Sequence, residues 1–464
     1  MNRTMTRLVQ GLLCAASVAL LGAGIAPPAL NPSLRVGVFL GNGASGTSGE
    51  NAMEALRIDP DIAPRRITAN EIASGGLDDL DVLVFPGGSG SRQVNDLGAM
   101  GVAKVREFIR TAGKGAVGLC AGAYLLTDTP DYACLRLCPL SAVDREHDER
   151  GHGIIALEMN SAGLEVFPEL KGMGKSFLYY YEGPLMVPSA AGGPCEILGT
   201  FTSDIHLESG APAGLMPGKP VLARAGEGKG RVFLCACHPE ATPGMRWMVP
   251  RMVRWVARRE AIPYSPAVVR PKISDHEILF DEALRKEESD LFQDLLYGAN
   301  GKRVRAIHRL VEIRSWDGPR WVAGCLRSDD APVRREAAKA LAEWEATWVL
   351  ADVSTVMKIE KDPGTRATLE FAASRLQSMA PAVEKPAPPA FRGSTAGALR
   401  SGEKPSSSPG NPDVRNGSWN PTGRARGTLR CPPQAGDISN SDSSTAKGRG
   451  LLGFGMKEAG VDGE

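Results

Sequence analysis

The sequence reads Ala116-Val117-Gly118-Leu119-Cys120-Ala121-Gly122-Ala123-Tyr124 where a short apolar run meets a Gly-x-Cys-x-Gly motif. This pattern is typical of a nucleophile elbow, in which a buried strand turns sharply into a helix with the reactive side chain at the apex. The flanking glycines fit because a Cβ there would collide with neighbouring backbone. The next amide opens a helix, so it can stabilise a developing oxyanion. The motif alone fits a buried structural cysteine equally well, since free Cys is commonly buried.

Strands and helices alternate around this motif. Apolar runs predict strands at 34–40, 81–85, 116–119, 155–159, 164–167, 177–181, 197–201, 221–224 and 231–237, and residues 67–71 suggest a short second strand and loop. Amphipathic or apolar spacing predicts helices beginning at Ala52 and covering 102–111 and 247–258. The continuous apolar run at 81–85 is typical of a buried parallel strand. We therefore predict one α/β domain over residues 34–262.

A cysteine nucleophile needs a base and a group that orients the base. His238 directly follows the apolar run 231–237, and Glu240 comes two residues later across Pro239. Ligand sites in open α/β sheets lie at the carboxyl ends of strands, so His238 and Glu240 are suitably placed. By itself, a His-Pro-Glu segment also fits an ordinary polar turn.

Backbone amides for an oxyanion follow another buried strand. Gly87 and Gly88 come directly after the strand at 81–85, and Gly88 could donate together with the N–H of Ala121. Arg92 and Tyr181 stand near strand ends and are candidate pocket residues with Gly87, although surface and core roles fit them as well. The joint occurrence of these features at three strand ends favours the nucleophile interpretation of Cys120.

The chain changes character after a proline-containing linker at 262–272. Segments at 304–310, 333–341 and 365–372 resemble one another, and their arginines Arg305, Arg334 and Arg366 recur about every 30 residues. This spacing predicts HEAT-like helical repeats over 273–380, with a plain helical bundle as the alternative. From residue 381 the sequence is rich in Pro, Gly, Ser and Arg, and we predict a disordered tail over 381–464.

The first residues predict export. A basic start with Arg3 and Arg7 precedes a charge-free apolar run, which is typical of a signal peptide over residues 1–29. We expect a periplasmic or cell-envelope protein, membrane-anchored if the signal stays uncleaved. Eight of the nine cysteines lie beyond this segment, and Cys134 and Cys138 form the nearest local pair for a disulfide.

Composition excludes several classes of partner. The net charge of +1 gives no case for nucleic acid. No P-loop and no zinc-ribbon spacing occurs, so we predict no cofactor and no metal.

Five motifs together resemble the class I glutamine amidotransferase-like superfamily. The motifs are Phe85-Pro86-Gly87-Gly88, Gly118-Leu119-Cys120-Ala121-Gly122-Ala123-Tyr124, Arg150-Gly151-His152-Gly153, Tyr181-Glu182-Gly183-Pro184 and the run from Gly230-Arg231-Val232 to His238-Pro239-Glu240. Within that superfamily they are most similar to the N-terminal domain of biotin–protein ligases and its stand-alone bacterial relatives. The resemblance spans about residues 34–260 and implies a flavodoxin-like, mostly parallel sheet.

The resemblance also implies roles: Cys120 as nucleophile, His238 as base, Glu240 as orienting carboxylate, with Gly88 and Ala121 as oxyanion donors. No biotin-ligase catalytic sequence and no synthetase sequence follows, so neither biotin transfer nor ammonia delivery is implied. The expected function is hydrolysis of an amide or other C–N bond, in a small molecule or a peptide, through a thioester. The alternatives are a non-catalytic binding module and an envelope scaffold, with the helical repeats holding a protein partner.

Overall fold

The computed structural model of the chain describes residues 33–207, 210–274 and 280–379, all within one structural unit. The predicted signal peptide at 1–29 and the predicted tail at 381–464 lie outside the described residues. Within the described ranges, no helix combines the length and the apolar character needed to cross a membrane.

A sheet of nine strands organises the α/β part of the described chain. Its members, in chain order, are β1 (Leu34–Phe39), β2 (Ile62–Ile67), β3 (Val82–Phe85), β4 (Gly115–Leu119), β6 (His152–Met159), β7 (Lys175–Tyr181), β9 (Glu196–Phe201), β10 (Pro220–Glu227) and β11 (Gly230–Cys235). The spatial order is β2-β1-β3-β4-β11-β10-β9-β6-β7. The first five strands in this order, from β2 at the edge to β11 in the middle, pair with one another in parallel. The neighbouring pairs from β11 to β7 are antiparallel. Two further strands, β5 (Leu140–Val143) and β8 (Leu185–Pro188), form a small antiparallel pair.

The parallel half of the sheet is the most deeply buried part of the molecule. Every residue of β3 and β4 is buried, which explains why these strands are continuous apolar runs. The helices of this part are α1 (Gly46–Leu56), α2 (Ala69–Ala73), α3 (Gly90–Arg110), α4 (Ala121–Leu126), α5 (Ser161–Val166) and α6 (Met248–Val256). Helix α1 packs against α6, while α3 packs against α2 and α4.

Two predicted strands are wrong. Residues 164–167 fall largely in helix α5, because the Asn160 side chain caps that helix by accepting from the Gly163 amide at 2.9 Å. The second strand lies at Ile62–Ile67, and the residues after it form α2 through a capping box between Thr68 and Glu71. Alternation over four or five residues was too short to separate strand from helix.

The C-terminal described part is helical. It contains α7 (Glu282–Tyr297), α8 (Asn300–Glu312), α9 (Gly318–Cys325), α10 (Ala331–Glu343), α11 (Leu350–Ile359) and α12 (Pro363–Met379). The three similar segments lie on α8, α10 and α12, and α10 packs against both of the others. Asp330 and Asp362 accept the amides of Val333 and Thr365 at 3.0 and 2.7 Å, so each caps the helix that follows. The predicted fold class, a mostly parallel α/β sheet followed by helices, is confirmed.

Candidate active site

Cys120 stands between the end of β4 and the start of α4 in a conformation that few side chains adopt, with φ 50° and ψ −108°. Its amide donates to the Cys235 carbonyl at 2.8 Å, which ties the turn to β11. A Cβ on Gly118 would lie 2.3 Å from the Gly122 carbonyl oxygen, and one on Gly122 would lie 2.0 Å from the Phe85 carbonyl oxygen. The Gly-x-Cys-x-Gly spacing therefore meets the steric requirement of this sharp turn.

His238 and Glu240 follow β11, the strand next to β4, after the two residues Ala236 and Cys237. The Nδ1 atom of His238 is 2.7 Å from Glu240 Oε1, and both side chains are almost wholly buried. Because a carboxylate only accepts hydrogen bonds, Nδ1 carries the proton and Nε2 is left for another group. No described residue forms a hydrogen bond with that Nε2.

Cys120 and His238 interact electrostatically across the two strand ends. Burial disfavours the imidazolium, but the interactions with Cys120 and with the Glu240 carboxylate favour it more, so the pKa of His238 is raised well above its ordinary value. The Cys120 thiol is 5% exposed and donates to the Tyr181 carbonyl at 3.2 Å. The structure thus brings together Cys120, His238 and Glu240.

Ser48, on α1, is a member of this cluster that sequence reasoning missed. Its hydroxyl donates to Glu240 Oε1 at 2.7 Å and accepts the Gly87 amide at 2.9 Å. A Cβ on Gly87 would lie 2.7 Å from His238 Cε1, so Gly87 packs directly against the imidazole. Nothing in the Gly/Ser-rich segment around Ser48 distinguishes it from an ordinary strand-to-helix loop.

The predicted oxyanion donors lie in tight backbone turns. Gly88 has φ +127°, and a Cβ there would lie 2.2 Å from the Gly43 carbonyl oxygen. Ala121 is the first residue of α4, one position after Cys120. Neither the Gly88 amide nor the Ala121 amide donates a hydrogen bond within the described part of the chain.

The other predicted pocket residues differ in placement. Tyr181 ends β7, and its ring stacks on His152 at 5.2 Å between centroids. Arg92 is exposed on the first turn of α3, and its guanidinium has no hydrogen bond or ion pair with the residues described. Of these two residues, only Tyr181 contacts Cys120, through its backbone carbonyl.

Trp316, in the helical part of the chain, packs against aromatic rings of the site. Its ring lies 5.1 Å from the His238 ring, 5.5 Å from that of Tyr181 and 5.1 Å from that of Tyr179, measured between centroids. With Glu240 and Tyr179, Trp316 also lines a cavity of about 90 Å³. Trp316 follows α8 and lies in a region where the sequence predicted helical repeats, so no local signal linked it to Cys120.

One cluster in the described residues has the donors of a metal site. Asp144, Glu146 and His147 bring potential ligand atoms within 4.8 Å of one another. Asp144 is already occupied, because Oδ1 is 2.8 Å from His147 Nδ1 and Oδ2 accepts from the buried Arg150. We interpret this cluster as an ion-pair network.

The model of one known protein family matches part of the chain. The family model described as "Biotin-protein ligase, N terminal" matches residues 34–134, which include Gly87, Gly88, Cys120 and Ala121. His238 and Glu240 lie beyond the match. No curated protein matches the chain.

Several solved structures are similar at low identity. They include the CTPS glutaminase domain of Trypanosoma brucei with bound acivicin, which is 12% identical with a TM-score of 0.32 and covers 49% of this chain and 96% of its own. A cytoplasmic protein from Salmonella typhimurium is 14% identical with a TM-score of 0.32, covering 48% and 97%. The β-galactosidase of Bacillus circulans is 13% identical with a TM-score of 0.30, and the match covers 49% of this chain but 31% of that enzyme.

The family match and the sheet agree with the resemblance that the motifs carry. The residues between β1 and the loop after α4 are those that the family model covers. Residues 34–134 therefore match the biotin–protein ligase N-terminal family, as the motifs predicted, within a larger α/β sheet.

Proposed function

We propose that the α/β part is a Cys120-dependent hydrolase of an amide or other C–N bond. The observation that carries the proposal is the buried His238, whose Nδ1 is held by Glu240 while Nε2 remains available beside Cys120. This is the arrangement that a thiol nucleophile requires, with a base in contact and a carboxylate that fixes its tautomer.

The reaction follows from these groups. His238 Nε2 takes the Cys120 proton as Sγ attacks the amide carbon, and the Gly88 and Ala121 amides stabilise the oxyanion. The C–N bond breaks as the imidazolium returns the proton to the leaving nitrogen, which leaves a thioester on Sγ. Water, deprotonated by His238, then attacks the thioester carbon and releases the acid and the free thiol.

The charge distribution supports the first step. Because the interactions with Glu240 and Cys120 outweigh burial and raise the pKa of His238, its imidazole is a strong enough base to take the Cys120 proton. Burial of both side chains strengthens their electrostatic interaction, since the local dielectric is lower than that of water.

A second candidate is a binding module that uses the same pocket without chemistry. The observation that favours it is the covering of the site: Cys120 is 5% exposed, and Trp316 packs over His238. In this alternative the thiol remains bonded to the Tyr181 carbonyl.

An active-site-directed electrophile separates the two candidates. A glutamine analogue with an electrophilic carbon is incubated with the protein, and adducts are mapped by mass spectrometry. The hydrolase predicts an adduct confined to Cys120 that is lost in His238→Ala. Labelling of Cys120 no faster than the half-buried Cys325 would favour the binding module.

We also propose that the protein is exported to the periplasm or cell envelope and that residues 1–29 are its signal. The apolar run after Arg3 and Arg7 supports this proposal. Cell fractionation with N-terminal sequencing tests it. A full-length chain recovered only from the cytoplasm would contradict it.

The proposed division of labour places the chemistry in residues 34–262 and a protein-binding surface in HEAT-like repeats over 273–380. The packing of α10 against both α8 and α12 supports a stacked arrangement.

A further inference from the structure

Two cysteines far apart in the sequence meet beside the small β5–β8 pair. The Sγ atoms of Cys138 and Cys195 are 3.7 Å apart, although 57 residues separate them. Cys138 is buried and Cys195 is half-buried. A disulfide has an S–S length of about 2.05 Å, so the two thiols need to approach by less than ~2 Å, which is within the range of a side-chain rotation.

The backbone on both sides of this pair is fixed. Leu140, two residues after Cys138, pairs with Pro188 in the β5–β8 ladder. The Ser189 amide then donates to the Pro139 carbonyl at 3.0 Å. Cys195 directly precedes β9, so its position is set by the main sheet. The approach of the two thiols is therefore set by the paired strands that follow each cysteine.

The other nearby thiols have different partners. The sequence pointed to Cys134 as the local partner of Cys138, but the Cys134 thiol donates to the Thr129 carbonyl at 3.6 Å. The buried Cys235 thiol donates to the Cys237 carbonyl at 3.5 Å. Among the described cysteines, Cys138 and Cys195 are the two whose thiols contact each other.

We propose that Cys138 and Cys195 form a reversible disulfide, a modification site separate from the Cys120 elbow. The bond links the two ends of the segment 138–195, which contains β5 to β8. This segment also contributes Tyr181, whose carbonyl accepts the Cys120 thiol.

The chemistry is thiol–disulfide exchange with a low-molecular-weight disulfide as oxidant. The Cys195 thiolate attacks one sulfur of the oxidant, forms a mixed disulfide and releases one thiolate. The Cys138 thiolate then attacks Cys195 Sγ, forms the internal bond and releases the second thiolate. The protein loses two protons and two electrons, and the oxidant is reduced to two thiols.

The order of attack follows from the environment of each thiol. The hydrogen bond from Cys138 lowers the pKa of Cys195, and Cys195 is the more accessible of the two. The hydrogen bond with Cys195 and burial raise the pKa of Cys138. Attack by Cys195 followed by resolution by Cys138 fits this asymmetry.

Peptide mapping tests the proposal with the full chain. The folded protein is incubated with oxidised glutathione near neutral pH, alkylated and digested with trypsin without reduction. Cleavage after Arg136 separates Cys134 from Cys138, so Cys138 lies in peptide 137–145 and Cys195 in peptide 176–224. We expect these two peptides to appear linked, with a mass equal to their sum less two hydrogens, and to separate on reduction.

Variants provide the controls. Cys195→Ser should abolish the linked species, whereas Cys134→Ser should leave its yield unchanged. A urea-unfolded sample should spread the linkage over other cysteines, because only the fold brings this pair together. The proposal is overturned if peptide 137–145 from the oxidised folded protein is recovered fully alkylated, or is linked to other cysteine peptides as often as to peptide 176–224.

Discussion

At the scale of single residues, the candidate site depends on the strained backbone of Cys120, which several contacts keep in place. A non-glycine residue with positive φ costs about 1–3 kcal/mol and persists only where its surroundings enforce it. At Cys120 the enforcing contacts are the bond to the Cys235 carbonyl and the close approach of Gly118 and Gly122. In this backbone conformation the Cys120 thiol lies at the strand ends, near His238 and Glu240.

Ser48→Ala is expected to weaken the site. The change leaves the Gly87 amide without its acceptor and removes one donor from Glu240, so unfolding free energy should fall by about 1–3 kcal/mol. Urea denaturation measures the loss. Ser378→Ala, which removes an exposed hydroxyl bonded to its own helix, should change stability by less than about 0.5 kcal/mol. Equal effects from the two variants would contradict the role given to Ser48.

The residues of the site were predictable to different degrees. Cys120, Gly87 and His238 follow apolar strands directly, so the pattern of strand ends located them. Ser48 was not predictable, because its bond to Glu240 joins positions 192 residues apart. Such a partner is set by the packing of α1 and leaves no trace in local spacing.

At the scale of elements, the segment between α8 and α9 forms part of the wall of the site. Trp316→Ala should open the space above His238 and Tyr181, because it removes a ring in contact with both. We expect Cys120 to react faster with a bulky maleimide relative to the small iodoacetamide. Trp321→Ala is the matched control, since that ring stacks on Phe292 instead. An unchanged ratio of the two rates in Trp316→Ala would show that Trp316 does not restrict access.

Glu288 on α7 accepts a hydrogen bond from Ser315, between α8 and α9, and should make the stability of the protein depend on pH. Burial, with the charge of Asp317, raises the pKa of Glu288 to about 7, although Ser315 and Arg285 oppose the shift. The Nε2 atom of His152 lies 4.0 Å from the Oε2 atom of Glu288. A raised carboxyl pKa stabilises the folded state below the unfolded pKa of about 4.5, and this stability is lost as pH rises through about 7.

Glu288→Gln should therefore remove part of the decline in stability over that pH window. The decline is on the order of 2 kcal/mol in the wild type, and the variant should have a flatter curve because glutamine does not titrate. Thermal unfolding at a series of pH values measures both curves. Parallel curves would contradict a perturbed Glu288.

The elements themselves were largely predictable from the sequence where apolar runs are long. Strands β3 and β4 and the helices that carry the similar segments were located correctly. The four-residue alternation at 164–167 predicts a strand, but the chain forms a helix there because the Asn160 side chain caps it. Trp316 could not be placed, since its contacts depend on how the helices meet the sheet.

At the scale of the whole molecule, buried charges join the helical part to the α/β part. Glu345 accepts the Gly244 amide at 3.0 Å and pairs with Arg270. The Arg246 guanidinium donates to the Glu345 carbonyl at 3.4 Å and to Thr347 Oγ1 at 3.2 Å. Both Arg246 and Glu345 are buried, so each depends on the other part of the chain to compensate the cost of removing its charge from water.

Glu345→Ala should destabilise the molecule by about 1–3 kcal/mol, because it removes the acceptor of the buried Gly244 amide and the ion-pair partner of the half-buried Arg270. Differential scanning calorimetry measures the change. The control is Asp290→Ala, which breaks the exposed Lys286–Asp290 pair and should cost less than about 0.5 kcal/mol. A small effect in Glu345→Ala would contradict the role given to the Glu345 carboxylate in joining the two parts.

The central claim is that His238, oriented by Glu240, activates Cys120. The most direct measurement is the second-order rate of Cys120 alkylation by iodoacetamide near neutral pH, followed by mass spectrometry in wild type, His238→Ala and Glu240→Gln. An ordinary thiol is only a few per cent ionised at that pH, so we predict that the wild-type rate exceeds that of His238→Ala by about tenfold or more, with Glu240→Gln between them. Equal rates in wild type and His238→Ala, with Cys325 in the same protein reacting as fast as Cys120, would contradict the claim.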